Sequence, residues 1–155
     1  MIVVRKAAAG FMFVQLIIVA IIVAILVVSA VPLYKLQLKR AMISEALTGV
    51  GAVRSAEQVY YSAYGRYLPF GSGDISNQPT DALPGLGLDL GESIYFDGPC
   101  FCATLDGIYG FVVTADGGAS TALHAEKVRE IIVQMRGNGL IRYSYDGGKS
   151  WTKWR

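Results

Sequence analysis

An almost unbroken apolar run from Phe11 to Val31, interrupted only by Gln15 and Ser29, constrains this chain more than any other feature. Coiled as a helix at about 1.5 Å per residue, about 21 residues reach roughly 31 Å, close to the apolar thickness of a bilayer. A chain that carries such a rod is not simply a soluble domain. Arg5 and Lys6 precede the run and Lys35, Lys39 and Arg40 follow it closely, so charge bias does not orient it. As a secretory signal, Arg5 and Lys6 would be the charged start and Val28-Ser29-Ala30 a small-x-small cleavage site, but the run exceeds the roughly 7–15 apolar residues of such signals. A plain single-pass anchor is a second reading.

The residues that open the run carry a third. Gly10-Phe11-Met12-Phe13-Val14-Gln15-Leu16-Ile17-Ile18-Val19-Ala20-Ile21-Ile22 resembles the processing and assembly segment of type IV pilins and type II secretion pseudopilins. Pro32 falls where that family commonly carries a proline, and the resemblance extends over about Arg5 to Tyr34. It implies a leader, residues 1–10, removed by a prepilin peptidase between Gly10 and Phe11, and N-methylation of Phe11. It further implies self-assembly by inner-membrane machinery into a helical filament whose core is built from Phe11, Phe13, Gln15, Leu16 and Pro32. The precursor would sit in the inner (cytoplasmic) membrane and the mature subunit in an extracellular or periplasmic filament. The family usually has Glu where this chain has Gln15. A carboxylate there can neutralise a neighbour's N-terminal ammonium inside an apolar core, whereas an amide can only hydrogen-bond. The departure points to a minor or tip subunit, or to a filament that tolerates an amide.

After the core segment, residues 11–32, the amphipathic half of the helix is expected over 33–66. Met42, Ala46, Gly49, Val53, Ala56, Tyr60 and Ala63 recur at steps of four and three and form one apolar stripe, with Lys39, Arg40, Glu45, Arg54 and Glu57 off it. The stripe reads as the inner face of a globular head or as a coiled-coil seam. Pro32 predicts a kink or local unwinding, and Gly49 and Gly51 are further soft points. The aromatic run Tyr60 to Tyr67 closes the helix, with Gly65 suited to a left-handed C-terminal position. Its rings read as a wedge against the head, with a redox path or binding surface as the alternative.

Residues 67–92, rich in Gly, Pro, Ser, Asn and Asp, predict a long surface loop. Over 93–155 short β-rich runs alternate with turn signals. Strands are expected at Ile94 to Phe96, Phe101 to Leu105, Ile108 to Thr114, Val128 to Arg136 and Leu140 to Tyr145, with Asp106-Gly107 and Gly137-Asn138-Gly139 as turns. Ala122 to Met135 also fits a helical period, with a strand preferred for its second half. Ser144-Tyr145-Asp146-Gly147-Gly148-Lys149-Ser150-Trp151 resembles the Asp-box, a hairpin signature of many β proteins, which implies that Asp146 staples a turn.

Reactive constellations are scarce. His124 is the single histidine, which excludes a His-rich metal site or a conventional triad within one chain. Asp-Gly pairs at Asp97, Asp106, Asp116 and Asp146 lack the carboxylate density of a calcium loop and read as turns. Cys100 and Cys102 read as buried thiols or as a disulfide within or between subunits, with metal or haem contact a further option. Without the basic leader residues Arg5 and Lys6 the formal charge falls from +2 to 0, which gives no general reason to invoke nucleic acid. Locally, Arg142, Lys149, Lys153 and Arg155 interleave with Tyr143, Tyr145, Trp151 and Trp154, a pattern that suits single strands or the guarding of a sheet edge; nucleic acid is the less favoured partner.

The expectation is therefore an α+β, pilin-like ladle, one long N-terminal helix on an antiparallel sheet of four or five strands, acting as a structural subunit with no catalytic residues, cofactor or metal. The alternative is a membrane-anchored or secreted monomeric binding module.

Overall fold

The computed structural model describes residues 4–71, 74, 86–88, 90 and 93–154, with side chains from residue 12 onward. Most of the expected loop 67–92 lies outside the described residues, as does Arg155. The chain divides into two compact units, Met1–Arg40 and Ala41–Arg155.

In the first unit the chain is helical from Val4, the start of α1 (Val4–Tyr64). The helix is continuous through Pro32, so the expected local unwinding does not occur. Proline removes one donor and crowds the carbonyl one turn back, yet the helix runs on to Tyr64 with that donor missing. Every residue from Met12 to Gln37 is exposed.

In the second unit the remainder of α1 packs on a five-stranded antiparallel sheet of order β1-β2-β3-β4-β5, where β1 is Phe101–Asp106, β2 Gly110–Asp116, β3 Ile132–Arg136, β4 Ile141–Ser144 and β5 Thr152–Lys153. The fold class is α+β, as the sequence implies. Met42, Ile43, Ala46, Val50 and Val53 bury one side of the helix against Phe101, Ala103, Phe111, Val113, Ala115, Val133 and Met135. The strands alternate buried and half-buried positions, most cleanly along β2 and β3, as period-two side-chain geometry requires. Gly49 is a close-contact point and not a soft one: a Cβ there would lie 2.2 Å from Phe101 Cζ.

Gly65 ends α1 at φ 69°, its N–H donating to Tyr61 O at 2.8 Å, the single-bond left-handed cap. Tyr61 then stacks on Tyr67 at 4.5 Å between centroids, and Tyr67 meets Phe111 in a tilted contact at 4.6 Å, which wedges the helix end against β2.

Two strand expectations need correction. Ile94 to Phe96 is not a strand. The N–H groups of Tyr95 and Phe96 donate to Glu45 Oε1 at 2.7 and 2.8 Å, so a helix carboxylate satisfies what a ladder would have satisfied. Val128 to Arg136 is a strand only in its second half; Ala125–Lys127 forms a 3-10 turn that drops Val128 and Ile131 into the core.

The charged residues expected off the stripe are also corrected. Glu57 is fully buried, accepts from Leu68 N at 2.9 Å through Oε2, and has no partner for Oε1 among the described residues. Burial pushes its pKa up, against the opposing pull of the Leu68 bond. Arg54 donates through Nε and Nη2 to Gly137 O at 3.1 and 3.0 Å, tying the helix to the β3–β4 turn.

Candidate functional site

The apolar half of α1 is the candidate site, and its chemistry follows from what each side chain faces. A helix whose apolar residues recur on all sides has no polar face to present to water. Leu16 is 67% exposed, Val28 76% and Leu33 63%, and these positions spread around the axis. Among the described residues this is the one helix long and apolar enough to cross a membrane, and it suits membrane anchoring.

Gly10 and Phe11, the expected cleavage and methylation positions, lie on the backbone of α1, and the Phe11 side chain falls outside the described ones. Phe13 and Leu16 are three residues apart and share a face, both exposed. Gln15 and Pro32 are exposed as well. The residues expected in the filament core therefore share one helix, with Pro32 about 24 Å along the axis from Leu16. Ser29 Oγ donates to Ile25 O at 3.0 Å, so its hydroxyl is satisfied within its own helix. Gln15 is the other polar side chain of the run, and no bond to its amide forms among the described residues.

The cysteines resolve differently from a disulfide. Cys100 closes a 3-10 turn, Gly98–Cys100, and donates its thiol to Asp97 Oδ1 at 3.1 Å. Burial and the adjacent carboxylate push the Cys100 thiol up to about 12, which keeps it protonated and inert. Cys102 lies in β1, half-buried, and no disulfide joins the two. Asp97 is itself buried and accepts from Thr121 N at 3.1 Å and from the Thr121 hydroxyl, so it binds the start of β1 to the segment after β2.

The Asp-box stretch forms the β4–β5 hairpin. Asp146 accepts from Ser144 Oγ at 2.6 Å, Ser150 N at 2.9 Å and Ser150 Oγ at 2.5 Å, while Gly147 and Gly148 take φ values of 67° and 88°. Hydrogen bonds from Ser144 and then Ser150 hold the Asp146 carboxyl well below the ordinary range. Trp151 does not pack into a core; it remains 37% exposed with the Arg142 guanidinium over its ring at 4.3 Å. Among the described residues no group of three His, Cys, Asp or Glu side chains could hold a metal ion.

Comparison with known protein families, with curated proteins and with solved structures finds no match.

The residues that periodicity missed are Glu45, Arg54 and Glu57, which link helix to head. Glu57 lies four residues after Val53 and seven after Val50, so its helical phase marked it as inward. Nothing local marked Glu45 or Arg54, whose partners are 50 and 83 residues away.

Proposed function

We propose that the chain is a structural subunit of a type IV pilus-like filament, held in the membrane as a precursor, cleaved after Gly10 and polymerised through the apolar half of α1. One observation carries the reading: from Met12 to Gln37 no residue finds cover within its own chain. At about 1.5–3 kcal/mol for each large apolar side chain brought out of water, such a segment does not remain solvated. Lipid covers the segment before assembly and like helices cover it afterwards. The resemblance of Gly10 to Ile22 to prepilins selects the filament over a permanent anchor.

In this mechanism the basic leader, with Arg5 and Lys6, stays at the membrane surface until the peptidase removes it, and Phe11 becomes the methylated N-terminus. Assembly exchanges lipid for neighbouring subunits. The exchange is apolar for apolar, so register and specificity come from packing and polar contacts, of which Gln15 supplies the uncommitted one. An amide in place of the family's carboxylate favours a minor or tip position over the principal subunit.

Filaments sheared from cells and analysed by N-terminal mass spectrometry test this reading. The expected chain starts at methylated Phe11. A chain retaining Met1, or one starting at Val31, rejects it in favour of an anchored or a secreted monomeric module.

A further inference from the structure

We propose that neighbouring copies of this chain dock side to side through their second units, the basic β4–β5 side of one against the acidic β1–β2 side of the next. The contact needs copies anchored in one membrane, but it requires neither cleavage after Gly10 nor a filament.

Charge is segregated along the chain. From Tyr67 to Glu126 there are eight Asp or Glu and not one Lys or Arg, whereas from Lys127 to Arg155 there are seven Lys or Arg against two Asp or Glu. Three of the eight acids, and Arg155, lie outside the described residues. The formal charge of +2 for the whole chain conceals this split. The sheet turns it into a spatial one. Its order, β1-β2-β3-β4-β5, is the order of the sequence, so the acidic stretch supplies β1 and β2 and the basic stretch supplies β3 to β5. Asp106 ends β1, and the exposed Asp74 follows closely on Phe70, which bridges to Ala103 on the side of β1 away from β2. On the other side Lys153 of β5 stands directly opposite Arg142 of β4, and Lys149 is exposed in the turn that joins these strands.

The two sides are too far apart to neutralise each other. Four strand spacings of about 4.8 Å separate them by roughly 19 Å, more than twice the screening length of about 8 Å at physiological salt. Among the described residues no Lys or Arg of the basic stretch pairs with a carboxylate; the ion pair that forms, His124 to Glu126 at 3.8 Å, lies within the acidic stretch. Arg142 and Lys153 are like charges on facing positions of an antiparallel pair, which is destabilising until a carboxylate from outside approaches them. Guarding an exposed edge explains Lys153, but it does not explain sixty residues without a cation.

A second copy is the partner that fits, because it carries both complements. A foreign anion or an anionic lipid surface would answer the basic side and leave the acidic side unanswered. Each exposed ion pair is weak on its own, yet copies confined to one membrane surface meet at high effective concentration. Because the two sides are unlike, each contact leaves one side of either kind open. That is the head-to-tail arrangement, which extends instead of closing at two copies.

The uncleaved chain, labelled with donor or acceptor dye on its N-terminal amine and reconstituted in phosphatidylcholine vesicles, tests the proposal by energy transfer. At low salt, transfer is expected above that of freely mixing labels at the same surface density. It is expected to fall about fivefold toward that baseline in about 1 M NaCl, where the screening length is about 3 Å. Chains carrying Lys149→Glu with Lys153→Glu, and chains carrying Asp74→Lys with Asp106→Lys, are each expected to give only the baseline when alone. Mixed, the two should recover most of the parent's transfer, since each supplies the side that the other has reversed. Donor quenching is expected to curve with acceptor fraction, as it does in assemblies larger than pairs. Thermal melts matching the parent protein verify that each variant is folded, and the salt response of the parent stands without them. Transfer indifferent to salt, parent-like transfer in either variant alone, no recovery in the mixture, or quenching linear in acceptor fraction would each overturn the proposal. So would loss of transfer on adding phosphatidylglycerol to the vesicles, which would assign the basic side to lipid headgroups.

Discussion

Gly49 and Gly51 sit two residues apart on the same helix, yet alanine at the two positions should change stability in opposite directions. A Cβ at Gly49 would lie 2.2 Å from Phe101 Cζ and 2.5 Å from Cε1, while at Gly51 it would meet nothing within 4 Å. To restore ordinary contact at 3.4 Å the ring or the helix must retreat by about 1.2 Å. Phe101 is only 1% exposed, so its ring cannot turn out to solvent, and the retreat falls on β1 and on the cavity that Phe101 lines beside Gly49. Overpacking of that kind costs about 1–3 kcal/mol, and a clash with a buried ring belongs at the upper end. The gain in helix propensity from Gly to Ala returns about 1 kcal/mol. Gly49→Ala should therefore destabilise by about 2 kcal/mol, and Gly51→Ala should stabilise by about 1 kcal/mol. At about 4 °C per kcal/mol for a head of this size, the two melting temperatures should differ by roughly 12 °C. Melting of the full chain in detergent, followed by the fluorescence of Trp151 and Trp154, reads the head rather than the apolar helix. If both variants raised the melting temperature equally, the helix would not be seated on Phe101 at Gly49 and the described packing would be wrong.

Two carboxylates should make stability depend on pH with opposite signs. Glu57, whose pKa is raised by burial, favours the protonated form in the fold, so its contribution is present at low pH and declines as pH climbs above the ordinary glutamate value of about 4.3. Glu57→Gln should flatten that decline between pH 4 and 8, measured as melting temperature against pH; an unchanged slope would assign the titration elsewhere. Asp146, whose pKa is lowered by the Ser144 and Ser150 hydrogen bonds, stabilises above the ordinary aspartate range and loses that contribution as pH falls through and below it. Asp146→Ala should lower stability at neutral pH and blunt the loss between pH 4 and 2, and an acid transition identical to that of the parent protein would contradict the hairpin network.

The parts of the fold that could be read from sequence are those governed by local physics. Gly65, Gly147 and Gly148 adopt the positive φ values that their turns demand, and the β1 and β2 runs follow from β-rich residues on either side of Asp106-Gly107. The helix end at Tyr64 needed only a glycine and an aromatic run. Charged residues were misread because helical period ranks faces by polarity, whereas a carboxylate inside a fold is placed by what must be satisfied across it. Glu45 is drawn inward by two backbone donors at Tyr95 and Phe96, and that demand arises only once a segment some 50 residues further along the chain folds back on the helix. The same ambiguity made Ile94 to Phe96 resemble a strand: the residues are apolar, but their donors are taken by a side chain. For the candidate site, the apolar run itself was legible.

Under the filament reading, Gln15 bears on how firmly the subunit is held. Lipid and neighbouring helices are equally apolar, so moving Phe11 to Val31 from one to the other changes little hydrophobic free energy, and the net preference rests on packing and on polar contacts of about 0.6–2 kcal/mol each. A carboxylate at position 15 would add neutralisation of a buried ammonium; the amide offers a hydrogen bond and leaves that charge to be compensated elsewhere. Gln15→Glu should accordingly increase the share of this chain recovered in sheared filaments, measured by quantitative mass spectrometry against the membrane-retained pool. A share that stayed the same or fell would show that the amide is no handicap to incorporation, and would remove the argument for a minor or tip position.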